Sequence, residues 1–233
     1  MMNGVDSPFI TLMFDDGFSD VYHEALPMLE NFGYKANVAL IGSKINQKGY
    51  LTTEQVKELL SKKWGLSDHS YSHINFQKAN AQTMKREIVK NKKLVSDLFG
   101  YELMDFVFPQ SKLSSDSLSL ILSYYPIVFT GTTKVRGNAP PFKHRLLIRV
   151  EVSTYEVLIY GLHFSSFIRK LKSYLKALSN EKRGEWLILF AHRVTDKPGL
   201  FDISMKKFNV ILNAIDAAGI PVITTSEAMR NFL

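Results

Sequence analysis

Cysteine is absent from all 233 residues, which removes disulfides and thiolate metal ligands from consideration without fixing the compartment. No run of about 18 apolar residues exists to span a bilayer. Residues 1–6 lack an apolar core and a cleavage site of the signal-peptide kind, and a strand is expected within ten residues of Met1, so a cytoplasmic location is expected. Linkers, low-complexity tracts and internal repeats are also missing. With 45% hydrophobic residues the chain can bury one substantial core, and one domain over 1–233 is expected. Acidic residues are outnumbered, 22 against 29 basic, for a net charge of +7 and a pI near 9.4. That balance suits an anionic partner. It does not indicate nucleic-acid binding, because no reading motif or basic-aromatic groove accompanies it.

Short apolar or β-branched runs suggest strands near Phe9, Ala36, Trp64, Phe106, Ile127, Leu146, Trp186 and Val222. Between them, helical periodicity predicts helices over 53–63, 83–99, 164–179 and 204–218, the first behind a Thr52-x-x-Gln55 capping box. Such alternation yields a parallel sheet with helices outside, and the strand count favours closure. The expected class is α/β, a distorted, TIM-like (β/α) barrel.

The run at residues 9–14 is too brief for a helix and reads as a buried parallel strand. Asp15 and Asp16 follow it directly, and Gly17 supplies the turn that would let both carboxylates face one site. Alone, the pair also fits a simple turn before a helix. Ser19 is expected to cap a helix carrying Tyr22, Leu26, Leu29 and Phe32 on one stripe, with Gly33 closing it. Further along, His69 and His73 stand four apart, a spacing that on one helical turn would direct both imidazoles at a single ion. Mixed carboxylate and imidazole ligation suits zinc first, with cobalt, nickel or iron also acceptable, and disfavours calcium. His192 follows the apolar run 186–190 and is a candidate general acid.

The remaining histidines, His23, His144 and His163, read as surface or capping residues. Lys62-Lys63, Lys92-Lys93 and Lys206-Lys207 read as solvated helix faces. The stretch 131–145 is long, basic and rich in turn residues, and could cover an anionic ligand.

Phe14-Asp15-Asp16-Gly17 and His69-Ser70-Tyr71-Ser72-His73 resemble the first two motifs of the polysaccharide deacetylases of the chitin-oligosaccharide-deacetylase type. The resemblance implies Asp15 as catalytic base and Asp16, His69 and His73 as ligands of a divalent metal. A third motif resembles Phe106-Val107-Phe108-Pro109-Gln110, a last one resembles 187–192, and 203–224 is similar to the family's C-terminal end. The third motif departs from the usual Arg-x-Pro-Tyr-Gly: Val107 stands at the Arg position, and Gln110 and Ser111 replace Tyr and Gly. Arg149 looks like the substitute Arg that some relatives carry on a following strand; the alternative is a strand-edge charge paired with Glu151 or another acid. The main-chain N–H of Gln110 could serve the oxyanion.

The resemblance implies a metal-dependent hydrolase that removes N-acetyl groups from an N-acetylated sugar or glycan precursor. In the cytoplasm that substrate would be nucleotide- or lipid-linked, as in surface polysaccharide or lipopolysaccharide biosynthesis. Two alternatives stay open: hydrolysis of another C–N bond, such as a formamide or cyclic amide, and a non-catalytic carbohydrate-binding relative. Asp15 and His192 argue against the latter, since a binding module needs neither base nor acid.

Overall fold

Seven short strands, β1 (Phe9–Phe14), β2 (Asn37–Leu40), β3 (Gly65–Asp68), β4 (Asp105–Val107), β5 (Ile127–Thr132), β6 (Leu146–Glu151) and β7 (Trp186–Ala191), pair in sequence order. All pairings are parallel, and β7 returns to β1 through six residue pairs, Phe9 with Trp186 to Phe14 with Ala191, so the sheet closes on itself. These relations come from a computed structural model, which describes residues 7–140, 145–153, 164–180 and 184–232. Every residue of β1 and β7 is buried, as expected of strands covered on both faces.

Alternation along β1 divides the core. Ile10, Leu12 and Phe14 join a large cluster beneath the helices, while Phe9 and Met13 join a second cluster with Val107, Phe129, Ile188 and Phe190 that fills the barrel. The helices are α1 (Leu26–Glu30), α2 (Thr53–Ser61), α3 (Ala81–Phe99), α4 (Ser115–Leu122), α5 (Phe164–Asn180), α6 (Met205–Ala218) and α7 (Thr225–Phe232). The expected capping box of α2 is present, with Thr52 and Gln55 bonded reciprocally. Among the described residues no helix is long and apolar enough to cross a membrane.

Two expectations are corrected. The strand expected near Val222 is a single parallel bridge to Ile10. β2 pairs only with Met13 and Phe14, leaving the first half of β1 with an open edge. Residues 221–223 fill that gap, Ile10 N–H donating to Pro221 O at 2.8 Å and Ile223 N–H to Ile10 O at 2.9 Å. Pro221 has no N–H with which to extend the ladder.

The first helix also differs. Asp20, not Ser19, occupies the N-cap, without a side-chain cap bond, and a π-helical turn (Val21–Ala25) leads into α1. Leu26 N–H reaches back to Val21 O, and Pro27 next to it has no N–H to restore α register. Gly33, at φ +67°, closes the helix as expected.

The barrel floor is polar. Asp105 and Asn37, at the starts of their strands, meet the first residue of α7: Thr225 Oγ1 donates to Asp105 Oδ2 at 2.6 Å, and Thr225 N–H to Asn37 Oδ1 at 2.9 Å. The second Asp105 oxygen is buried with no hydrogen-bond partner among the described residues. Burial pushes this carboxyl up to about 6.

Candidate metal centre and catalytic pocket

Because all seven strands run the same way, residues that follow their C-terminal ends share one face. Asp15 and Asp16 follow β1, His69 follows β3, Gln110 lies just past β4, and His192 follows β7. All five line one cavity of about 780 Å³, with His73.

Two adjacent carboxylates reach the same cavity because the chain turns sharply after Asp15. Asp16 and Gly17 both adopt left-handed backbone, at φ 71° and 75°, a region Asp tolerates better than most residues and Gly occupies freely. A Cβ on Gly17 would also lie 2.9 Å from Leu40 Cδ2.

The histidine loop is not helical, contrary to the expected helical turn. Ser70 and His73 have positive φ, 64° and 59°, and residues 69–73 form an irregular loop. It is held from behind instead. Asp68 Oδ1 accepts from Ser70 N–H at 2.7 Å and from Asn91 Nδ2 at 2.8 Å, while its Oδ2 accepts from Tyr125 Oη at 2.5 Å. Glu87 accepts from both the N–H and the hydroxyl of Ser72, and Ser70 Oγ accepts from His73 N–H at 2.9 Å.

His69 Nδ1 lies 2.8 Å from Val107 O. A carbonyl only accepts, so Nδ1 carries the proton and a neutral ring turns the lone pair of Nε2 to the cavity. There, Nε2 of His69 and Nε2 of His73 each lie 3.4 Å from Asp16 Oδ1. The ligand atoms of all three residues fall within 4.8 Å of one another, and Asp16 Oδ1 is buried without a hydrogen-bond partner among the described residues. Three electron-pair donors facing a common point require a positive charge between them, so this trio fits a divalent cation of the zinc class. Protonation answers the same demand: burial disfavours the imidazolium of His69, yet Asp16 and Asp15 outweigh it and raise its pKa. Asp16 is correspondingly held low, at about 2, against the opposing effect of burial.

Arg149 comes from β6 and its guanidinium grips Asp15 with two bonds, Nη1 to Oδ1 at 2.6 Å and Nη2 to Oδ2 at 3.0 Å. Both side chains are buried, 1% and 4% exposed, and the guanidinium lies 4.1 Å from the Phe190 ring centre. Burial alone would raise the Asp15 pKa, but Arg149, with His69, keeps it below the ordinary value. Arg149 thus faces Asp15, the carboxylate that a substitute arginine would have to meet. Gln110 has φ 58° and borders the cavity. His192 Nδ1 is buried with no hydrogen-bond partner among the described residues, its ring between Phe190 and Phe201 at 6.0 and 5.7 Å.

Other expectations fall elsewhere. His23 approaches Gln55 at 3.2 Å, away from the cavity. His144 and His163 lie outside the described residues, as do residues 141–144 of the basic stretch; none of its described residues lines the cavity. Lys92 is not simply solvated, because its ammonium donates to Leu103 O and lies 4.6 Å from the Tyr125 ring. The supports Asp68, Glu87, Asn91 and Tyr125 were not anticipated, although Glu87 and Asn91 stand four apart on α3 and are both buried, a sequence hint of a polar stripe facing inward.

Comparison with known proteins bears on the family and the fold. Residues 3–124 match the family model described as polysaccharide deacetylase. Among curated proteins, YxkH of Bacillus subtilis (strain 168), named as a polysaccharide deacetylase, is 29% identical over 109 residues, which cover 47% of this chain and 39% of that protein. A bifunctional xylanase/deacetylase of Pseudobutyrivibrio xylanivorans is 30% identical over 104 residues, 45% of this chain and 17% of that one. The matches thus span well under half of either relative. Among solved structures, the Xyl-CE4 domain of a multidomain xylanase from the hindgut metagenome of Trinervitermes trinervoides superposes with a TM-score of 0.65 at 20% identity, covering 96% of this chain and 90% of that domain. At that identity the superposition speaks for the fold. The family match, spanning more than half of the sequence, shows that this chain belongs to the polysaccharide deacetylase family.

Proposed function

We propose that the chain is a metal-dependent hydrolase that removes N-acetyl groups from an N-acetylated saccharide. The observation that carries this reading is the convergence of Asp16, His69 and His73 beside a carboxylate, Asp15, clamped by Arg149. A divalent cation, zinc by donor type, would be held by those three residues and would supply water of lowered pKa and a Lewis acid for the acyl oxygen.

The chain's own residues do the rest. Asp15, kept anionic by Arg149, accepts the proton of the attacking water. The guanidinium also fixes both carboxylate oxygens, so the base does not rotate. As negative charge develops on the acyl oxygen, the N–H of Gln110 donates to it; left-handed backbone at this residue replaces the Tyr-Gly of the usual third motif. His192 protonates the departing amine, its ring lying between those of Phe190 and Phe201. The positive balance of the chain suits a nucleotide- or lipid-linked, anionic substrate of a cytoplasmic assembly pathway for surface polysaccharide.

A second reading follows from the relatives. Two of them carry xylanase in their names, and the same apparatus would cleave the O-acetyl ester of a decorated xylan. Acetate release from N-acetylglucosamine oligomers, nucleotide-linked N-acetyl sugars and acetylated xylan, beside metal analysis of the purified protein, separates the two. Wild type should bind one equivalent of metal and release acetate, Asp15→Asn should keep the metal and lose turnover, and His69→Ala should lose both. Wild type that retains no metal after reconstitution refutes the proposal.

A further inference from the structure

The described residues of the basic stretch 131–145 line no part of the catalytic cavity. Among the described residues no helix lies between β5 and β6. The chain from 133 to 140 runs there instead, tied to the start of β7 by a bridge between Asn138 and Trp186 and to α5 by Gly137 N–H donating to Tyr174 Oη.

The helix beside it, α5, carries charge of one sign only: Arg169, Lys170, Lys172 and Lys176, with no Asp or Glu between Phe164 and Asn180. Together with Lys134 and Arg136 these residues account for all but one unit of the net charge of +7. All six are exposed, and none forms an ion pair with another described residue. Phe167, Leu171, Leu175 and Leu178 occupy the buried side of the helix, while Arg169, Lys172 and Lys176, at three- and four-residue steps, form one outward stripe. Like charges gathered without an acid among them repel one another. An anionic partner relieves that cost.

Two recesses flank the stripe. The larger, about 580 Å³, lies between residues 133–135 and α5; Lys134 and Lys170 come from its two sides, and Val135, Phe167 and Ala177 supply apolar surface. The smaller, about 340 Å³, lies between α5 and α6, where Lys172, Lys176 and Ser179 adjoin Leu175 and Ala214. Ammonium groups beside apolar carbon suit a molecule whose anionic head is joined to hydrocarbon, and a compact anion would leave the apolar part unused. A nucleic acid would favour aromatic platforms, but no exposed residue of α5 is aromatic. A cluster of about four to eight basic residues on an amphipathic helix is the pattern that acidic lipid surfaces attract.

We infer that the outward face of α5, with Lys134 and Arg136, is a docking surface for an acidic phospholipid bilayer. None of these residues lines the catalytic cavity, and the inference is independent of the reaction proposed above.

Cosedimentation of the full chain with vesicles tests it. Vesicles of phosphatidylcholine mixed with phosphatidylglycerol should retain the protein at about 0.1 M salt and release it at about 1 M, where charges are screened beyond about 3 Å. Vesicles of phosphatidylcholine alone should not retain it. Each basic residue near an acidic bilayer strengthens partitioning about fivefold, so Arg169→Gln/Lys172→Gln/Lys176→Gln should bind about a hundredfold more weakly and Lys134→Gln about fivefold. Lys57→Gln/Lys78→Gln/Lys85→Gln removes the same charge from exposed positions elsewhere and should bind as wild type does. Acidic vesicles that fail to retain wild type overturn the inference. Equal weakening by the two triple variants also overturns it, since net charge alone would then explain the binding. Retention on a single-stranded oligonucleotide or dextran sulfate, but not on vesicles, assigns the face to a soluble polyanion and overturns it as well.

Discussion

Replacing Arg149 with Met leaves Asp15 with nearly the same packing and no partner. In the wild type two bonds of 2.6 and 3.0 Å join groups that are 1% and 4% exposed. Removing one member of such a buried pair costs about 3–5 kcal/mol if the other stays charged. Asp15 has an escape, because it can bind a proton. Without the guanidinium, burial dominates its environment, and its pKa moves from below 3.8 to above it. The sign of the linkage then reverses. In the wild type, Asp15 contributes stability that is present above pH 3.8 and lost as pH falls through its depressed folded value; in the variant its stability penalty grows as pH rises through the unfolded value and stops growing above the elevated one. Urea unfolding across pH should therefore show a variant whose deficit widens toward neutrality, and the acid limb of kcat/KM should move to higher pH. Adding Asp15→Asn should recover most of the stability, a coupling read from the double-mutant cycle. Arg149→Lys should rescue only in part, since an ammonium cannot reproduce the two-pronged grip. A loss below about 1 kcal/mol at neutral pH, together with an unmoved acid limb, would refute the role given to Arg149.

Asp105→Asn should stabilise the protein at neutral pH. The folded pKa of Asp105 is raised from 3.8 to about 6, so the wild type loses stability as pH rises through that window. The shift amounts to about 3 kcal/mol as an upper bound, and an Asn retains an oxygen for Thr225; a variant that tracks wild type across the same pH range in urea unfolding contradicts the burial cost assigned to this carboxyl. His192→Gln should lower kcat by about 10²–10⁴ with metal content intact, and a change in metal stoichiometry instead would make it a ligand. Asp68→Ala should loosen the histidine loop and weaken metal affinity by about 10–100-fold, measured by competition with a chromophoric chelator; unchanged affinity would show that Glu87 and Ser70 suffice to hold it.

Local chemistry was legible where function depends on neighbours in the chain. Asp15 and Asp16 announce themselves beside Gly17, and the polarity of the flanking runs places them at a strand end. His69 and His73 were legible as a pair for the wrong geometric reason: the spacing suggested a helix, while two left-handed residues and the side chains of Asp68 and Glu87 form the loop. Strand periodicity found seven barrel strands and overcounted by one, because pattern alone cannot tell a strand from a segment that fills a half-open edge. The cap at Ser19 failed too: Asp20 takes the N-cap without a side-chain bond, and a π-helical turn opens the helix.

The sequence by itself determined the alternation of short apolar strands with amphipathic helices, and the residue types that can ligate a cation and move a proton. Period and chemical type are properties of a residue and its near neighbours, so they survive in one dimension. Only the tertiary structure decided that Arg149, 134 positions away along the chain, faces Asp15, that Tyr125 and Asn91 brace the loop behind His69, and that Arg193, Asp20 and Phe18 gather at one rim. Those meetings follow from barrel closure, which brings β7 beside β1 with β6 next in the sheet, and closure is a sum over the whole core that no local window contains.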